Sequence, residues 1–366
     1  MTALSAIVLA AGSGTRMRST RPKALHMLCG KPMLSYVLEA LRPLDLDRII
    51  VVVGVGAEQV SKKLVVIAPD LPIELVEQPE PNGPGAAAAL ALASFDDAHA
   101  GDDDDVLVVP SDTPLVRTEV IEGMVRTHRA TDATATVLGA VSDEPIGYGR
   151  LFDGRAGEVG GIIAHADSAG TGVAGDVALG LFCFRRSLLP ASLRRVQPDT
   201  RTGEIPLTGA VQVLHDTGHR TVLHRIDDPI ESLGVNNRVE LAAAEAELRR
   251  RTNRHWLERG VTMVDPDRTY IDTTVELGAD VTLFPGTLLQ GSTVIGVGAE
   301  IGPDTRLVDC AIGPGAVVAK TMARDAEVGA SAEVGPFAVL EPGASIEAGR
   351  VTGPFHVAGA DPIDDD

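Results

Sequence analysis

The chain has 366 residues, 44% of them hydrophobic, which is long enough for two domains of roughly 100–200 residues and apolar enough for packed cores. Its formal net charge of -19 opposes a nucleic-acid backbone, so nucleic acid is not expected as a partner. An anionic ligand must then be held by local cations and backbone N–H groups rather than by the overall field. Three well-separated cysteines, Cys29, Cys183 and Cys310, lack CxxC spacing and argue against disulfides and a zinc site.

Residues 6–11 form an apolar run with no basic segment before it, ending in Gly12-Ser13-Gly14. It reads as a buried first strand rather than a leader. Residues 32–44 read as a helix with Pro32 in its first turn. Arg48–Val53 is a second buried strand, 57–66 a helix, 73–76 a short strand and 85–94 an Ala-rich helix. Residues 106–110 form another apolar strand, ending at Ser111-Asp112. Uninterrupted apolar strands between helices predict a mostly parallel sheet covered on both faces. Strands are also expected at 135–141 and 177–184, and a charged connecting helix at 237–259. No apolar run approaches the roughly 20 residues that span a bilayer; no membrane association and a cytoplasmic location are expected.

The pattern changes at about Val275. Leu277, Leu283, Leu289, Ile295, Ile301 and Leu307 recur every six residues, the series resumes at Ile312 and Val318, and again at Val328, Val334, Leu340 and Ile346. This is the hexapeptide period of a parallel β-helix, in which aliphatic anchors stack inward.

After the first strand comes Leu9-Ala10-Ala11-Gly12-Ser13-Gly14-Thr15-Arg16-Met17, then Arg21-Pro22-Lys23. Glycines let a backbone approach oxygen ligands with its N–H groups facing inward. Arg16 can fork onto phosphate oxygens and Lys23 can act as a point charge. A dinucleotide-binding fingerprint fails because Met17 stands where a small residue is needed and the second strand ends in Val53-Gly54 without an acid. A Walker A loop fails because no Gly-Lys-Ser/Thr follows. On residue pattern alone, Asp112 also reads as a helix cap, Asn236-Asn237 as a turn pair and Lys23 as a surface lysine.

These segments, with Ser111-Asp112-Thr113-Pro114-Leu115, Gly147-Tyr148-Gly149-Arg150, Gly234-Val235-Asn236-Asn237-Arg238 and the hexapeptide tail, resemble the family of bifunctional N-acetylglucosamine-1-phosphate uridylyltransferases / glucosamine-1-phosphate acetyltransferases (GlmU). The resemblance runs from the first strand to about Ile346. It implies a Rossmann-like nucleotidyltransferase domain over residues 1–236, a connecting helix at 237–262, a left-handed β-helix at 263–353 that assembles as a trimer, and an acidic tail at 354–366. It also implies that Leu9, Ala11, Gly12 and Gly14 hold the nucleotide, Arg16 and Lys23 the triphosphate, and Asp112 and Asn236 Mg²⁺. Gln78 would read uracil beside Gly83, and Gly149 would lie at the sugar. The implied reaction joins a nucleoside triphosphate, UTP by preference, to a sugar 1-phosphate, with N-acetylglucosamine 1-phosphate the default. His26 and His165 follow family-like positions without an assigned chemistry.

The departures lie on the sugar and base sides. The family's glutamate is Ala164 here, its asparagine is Ala178, and its Gly-Thr-Gly-His is Gly83-Pro84-Gly85-Ala86. Losing two hydrogen-bonding groups changes which sugar fits, and Pro84 lacks a backbone donor. The chain stops before the family's acetyltransferase residues and carries Glu341 where an arginine is expected, so no acetyl transfer is expected. The alternative from another class is a non-catalytic subunit that binds a nucleotide or sugar nucleotide without turnover.

Overall fold

The computed structural model describes residues 2–95, 104–142, 149–164 and 175–359. Gly147, Tyr148, His165 and the acidic end from residue 360 lie outside the described residues. The chain divides into two compact units, Met1–His26 with Pro32–Ala244 and Met27–Lys31 with Glu245–Asp366.

In chain order the elements are β1 (Leu4–Ala10), a short hairpin of β2 (Met27–Leu28) and β3 (Lys31–Pro32), α1 (Met33–Leu41), β4 (Arg48–Val53), α2 (Ala57–Ile67), β5 (Ile73–Glu77) and α3 (Pro84–Leu92). There follow β6 (Asp105–Pro110), α4 (Thr118–Ala130), β7 (Ala135–Ser142), β8 (Gly149–Asp153), β9 (Val159–Ala164), β10 (Gly175–Arg185), α5 (Leu189–Leu193), α6 (Thr208–Asp216), β11 (Thr221–Ile226) and α7 (Arg238–Leu257).

The sheet of the first unit runs β11-β7-β10-β6-β1-β4-β5, with β8 and β9 attached beside β10. β1 pairs in parallel with β4 and β6, β4 with β5, and β7 with β11. β10 is antiparallel to both β6 and β7, and the β8–β9 hairpin is antiparallel too. Successive side chains of a strand point to opposite faces. Ala6, Val8, Ile49, Val51, Leu107 and Val109 accordingly pack with Leu34, Leu38, Ile121 and Met124 of α1 and α4. Ile7, Ile50, Val52, Val106 and Val108 pack with α3, α5 and α6 on the other face. Burial on both faces explains why these strands read as continuous apolar runs.

The helix expected at 32–44 is shorter. Pro32 is extended, at φ -59 and ψ 144, and ends the hairpin; α1 begins at Met33 and stops at Leu41, just before Pro43. A proline has no N–H with which to continue the ladder.

In the second unit the strands stack in three parallel sheets, forming the left-handed β-helix. All twelve hexapeptide anchors are buried in one core. The break between Val318 and Val328 is filled by Ala323, whose strand Met322–Arg324 pairs with Arg306–Val308 below and Val339–Leu340 above. The coils start before residue 275: Met263 and Ile271 already belong to the core, and the turn Pro266–Arg268 between them breaks the six-residue period. The hairpin residue Cys29 is built into this unit. Its N–H donates to Glu245 Oε2 at 3.0 Å, and its carbonyl accepts from Thr273 N at 3.0 Å. Burial, and then Glu245, raise its thiol pKa, so Cys29 stays protonated. All three cysteines are buried and none is in a disulfide. Among the described residues no helix is long and apolar enough to cross a membrane.

Ile301 is fully buried between the stacked Leu283 and Val318. Ile301→Ala should cost about 2–5 kcal/mol of stability, measured by denaturant unfolding of the full chain; a loss within error would contradict the stacked core.

Candidate functional site

β1 ends at Ala10 and the chain turns back on itself. Gly14 adopts φ 61, and a Cβ there would lie 3.0 Å from Lys23 Cβ. The single turn Thr15–Met17 buries Met17 and leaves Arg16 exposed. A second turn, Lys23–Leu25, opens behind the extended Pro22. Arg16 Nη2 then donates to Asn236 Oδ1 at 3.0 Å. Lys23 Nζ donates to the same oxygen at 2.8 Å and pairs with Asp112 Oδ2. Arg16, Lys23, Asp112 and Asn236, from three distant segments, thus meet in one cluster.

Asp112 is held there by backbone. The Ser111 N–H donates to Leu9 O at 3.0 Å, fastening the end of β6 to β1. Thr113 is fully buried and donates to Pro110 O at 3.0 Å. The Asp112 carbonyl accepts from Val235 N at 2.8 Å, which brings the Asn236 segment alongside. Asp112 is not a helix cap: the next helix, α4, begins at Thr118 behind Arg117. Asn237 takes the capping task instead, its Oδ1 accepting from Val239 N and Glu240 N at 2.9 Å each. The Glu240 carboxylate accepts from the Asn236 N–H and, at 2.8 Å, from Asn237 Nδ2. With the helix capped by its neighbour, the Asn236 side-chain oxygen faces Arg16 and Lys23.

Asp112 Oδ1 is buried without a hydrogen-bond partner. A buried carboxylate oxygen left unpaired is costly, and a hard cation would satisfy it. One carboxylate and one amide oxygen suit Mg²⁺, which keeps several waters and takes its other ligands from phosphates. Among the described residues, no three His, Cys, Asp or Glu side chains are grouped to hold a metal. The donor set at this cluster is therefore small and all oxygen. The exposed Gly12 lies above the strand end, and a Cβ there would meet nothing within 4 Å. The protein itself does not demand a glycine at that point, whereas a ligand lying on the backbone would.

Gln78 follows β5. Its N–H donates to Val53 O at 2.8 Å, and its Nε2 donates to Gly83 O at 3.4 Å. Gly83, at φ 92, packs so closely that a Cβ would lie 2.8 Å from Glu204 Cβ. Pro84 opens α3 at its first turn, where its missing N–H subtracts one donor from the helix end. Gly149, at φ 146, is flanked on β10 by Ala178 and on β9 by Ala164. The two sugar-side positions that depart from the family pattern are thus partners of Gly149 in strand register. Among the described residues no hydrogen bond joins Gln78, Gly83 or Gly149 to the four-residue cluster. Gln78 and Asp112 nonetheless follow the C-terminal ends of parallel strands, as does the Gly12 turn, and open α/β sheets bind ligands along that edge.

Arg238 stands in the sequence motif at 234–238 without a role of its own, and Glu240 lies outside that motif. Arg238 Nε donates to Met17 O at 3.3 Å and its Nη1 donates to His26 Nδ1, also at 3.3 Å. It therefore ties the Asn236 segment to both turns of the loop that carries Arg16 and Lys23. With Nδ1 accepting, the imidazole proton sits on Nε2. Burial first, then the charges of Arg238 and Arg21, lower the His26 pKa, so the ring is neutral. The spacing Asn237 to Glu240, an N-cap with an acid three residues on, was the available signal for this helix start.

Residues 6–210 match the family model described as MobA-like NTP transferase domain. The chain is 40% identical over 351 residues to the bifunctional protein GlmU of Streptomyces avermitilis, covering 95% of this chain and 72% of that protein. It is 37% identical over 343 residues to the bifunctional protein GlmU of Geobacillus sp., covering 93% and 73%. Against that of Thermobifida fusca it is 41% identical over 324 residues, covering 88% and 66%.

The neutral His26 makes this frame sensitive to acid. Its folded pKa lies below the ordinary 6.5, so the unfolded chain binds more protons and stability falls as the pH drops beneath that value. His26→Gln should flatten the loss between about pH 6.5 and 5, measured by denaturant titration; an unchanged slope would remove His26 as a cause.

Proposed function

The chain belongs to the family of bifunctional GlmU proteins and is a nucleotidyltransferase, and on that premise we propose that it joins a sugar 1-phosphate to the nucleotidyl group of a nucleoside triphosphate, with Mg²⁺ as cofactor. UTP is the nucleotide, and N-acetylglucosamine 1-phosphate is the default sugar. The observation that carries this reading is the meeting of Arg16 and Lys23 with Asp112 and Asn236 at the carboxyl edge of the sheet.

An oxygen of the sugar phosphate attacks the α-phosphorus in line. The bond from that phosphorus to the bridging oxygen breaks, and pyrophosphate leaves. The second pKa of a phosphate monoester is about 6, so the nucleophile is largely dianionic at neutral pH and needs no general base. Catalysis is then positioning and charge neutralisation. The Gly12–Gly14 backbone lies along the phosphates, Arg16 forks onto their oxygens and Lys23 supplies a point charge. Asp112 and Asn236 would hold Mg²⁺, which when bound would neutralise charge on the triphosphate. Gln78 reads the base beside Gly83, and Gly149 allows close approach of the sugar. Ala178 and Ala164 flank Gly149 in the strand register with no polar group, which favours a sugar that asks for fewer hydrogen bonds there. Glu341 places a carboxylate where acetyl transfer in the family uses an arginine, and the proposed activity includes no such step.

The β-helix serves assembly. The outward row of one of its sheets is Tyr270, Leu288, Arg306, Met322, Val339 and Val357. The matching rows of the other sheets carry Glu300 and Glu333, or Glu276 and Glu327. An exposed face this apolar suits packing of copies about a three-fold axis.

Incubation with Mg²⁺ and a panel of nucleoside triphosphates and sugar 1-phosphates should release pyrophosphate with UTP. Absence of turnover with every pair, in folded protein, would end the proposal. Asp112→Ala should lower turnover by at least about 10²–10³-fold with an unchanged circular dichroism spectrum. Met322→Glu should shift the sedimenting species to lower mass; an unaltered mass would place the contact elsewhere.

A further inference from the structure

We propose that Lys23 is a displaceable counter-ion of the metal-binding oxygens: its ammonium occupies them until a triphosphate draws it away, so that nucleotide and divalent cation bind with positive coupling. The inference rests on the reaction proposed above and adds an order to it.

The Lys23 ammonium contacts both oxygens that suit a divalent cation, Asp112 Oδ2 and Asn236 Oδ1. The Lys23 and Asp112 side chains are only 14% and 12% exposed, so water screens this pairing weakly. An ammonium and a divalent cation repel at contact distance and cannot share these two oxygens. Arg16 is not the competitor. It is exposed, and its bond goes to Asn236 alone.

Lys23 has the means to leave. Its four-carbon stem is flexible, and Gly14 spares it a methyl group that would lie 3.0 Å from its Cβ. A triphosphate beside Gly12 offers more negative charge than one carboxylate, so the ammonium moves to phosphate and frees Asp112 as the charge that replaces it arrives. Asp112 Oδ1, buried and unpartnered, is then completed by the cation. Coupling of this kind is reciprocal: whatever affinity the nucleotide gains from the cation, the cation gains from the nucleotide.

The test uses the full chain and Mn²⁺ alone, without nucleotide, with free Mn²⁺ read by electron paramagnetic resonance. Lys23→Met should bind Mn²⁺ more tightly than the wild type by about 5–150-fold, the usual span of a coupling free energy. Lys23→Gln should do the same, which guards against one poorly folded variant. Adding Asp112→Asn to Lys23→Met should abolish the gain. Equal or weaker Mn²⁺ binding in both Lys23 variants would overturn the proposal, and so would a gain that survives Asp112→Asn. Turnover of the wild type, assayed in parallel, separates the two readings: turnover without the Mn²⁺ gain sinks this inference alone, and no turnover sinks the reaction.

Discussion

A carboxylate and an amide oxygen share one lysine at the carboxyl edge of the sheet, and much of the first unit is arranged to keep them together. Asp112, Asn236 and Lys23 are far apart in the chain, and each would be unremarkable alone. Their meeting depends on short backbone bonds rather than on the side chains themselves. Ser111 fastens the end of β6 to β1, and Val235 fastens the Asn236 segment to Asp112. Like charges from Arg16 and Lys23 are tolerated because acceptor oxygens lie between them. Two cations are thereby crowded around one anion.

Around this centre, neutral groups do the fixing. His26 accepts from Arg238 and stays uncharged, so no further cation is added beside Arg238 and Arg21. Asn237 caps α7, which leaves its neighbour Asn236 for the cluster. The second unit follows a different logic. Its core is a ladder of aliphatic side chains, each resting on one from the coil below, and its chemistry lies in its outer faces. One face is largely apolar while the other two carry glutamates.

Much of this was legible in the residues. Uninterrupted apolar runs marked β1, β4 and β6 because strands buried on both faces have no polar side to show. The hexapeptide period marked the β-helix because every inward position needs an aliphatic side chain. It missed Ala323, since an alanine does not stand out as an anchor, and the first coil, where a proline turn breaks the period. The glycine turn with Arg16 and Lys23 raised the expectation of a phosphate ligand, and the structure brings both cations to Asp112 and Asn236. The β8–β9 hairpin and α4 were not read. The hairpin is rich in glycine and short of alternation, and the apolar positions of α4 are interrupted by polar ones that only its packing against α1 and the sheet explains.

The sequence by itself determined the classes: a parallel α/β unit, a stacked β-helix, and a loop chemistry suited to phosphate. Those follow from periodicity and residue type, which are local properties. Only the tertiary structure decided the division of labour. It made β10 antiparallel within a largely parallel sheet, gave the cap to Asn237 and the cluster to Asn236, and set Lys23 on Asp112. Each of these depends on which distant segments a few backbone hydrogen bonds bring side by side, and that proximity has no signature in the local order of residues.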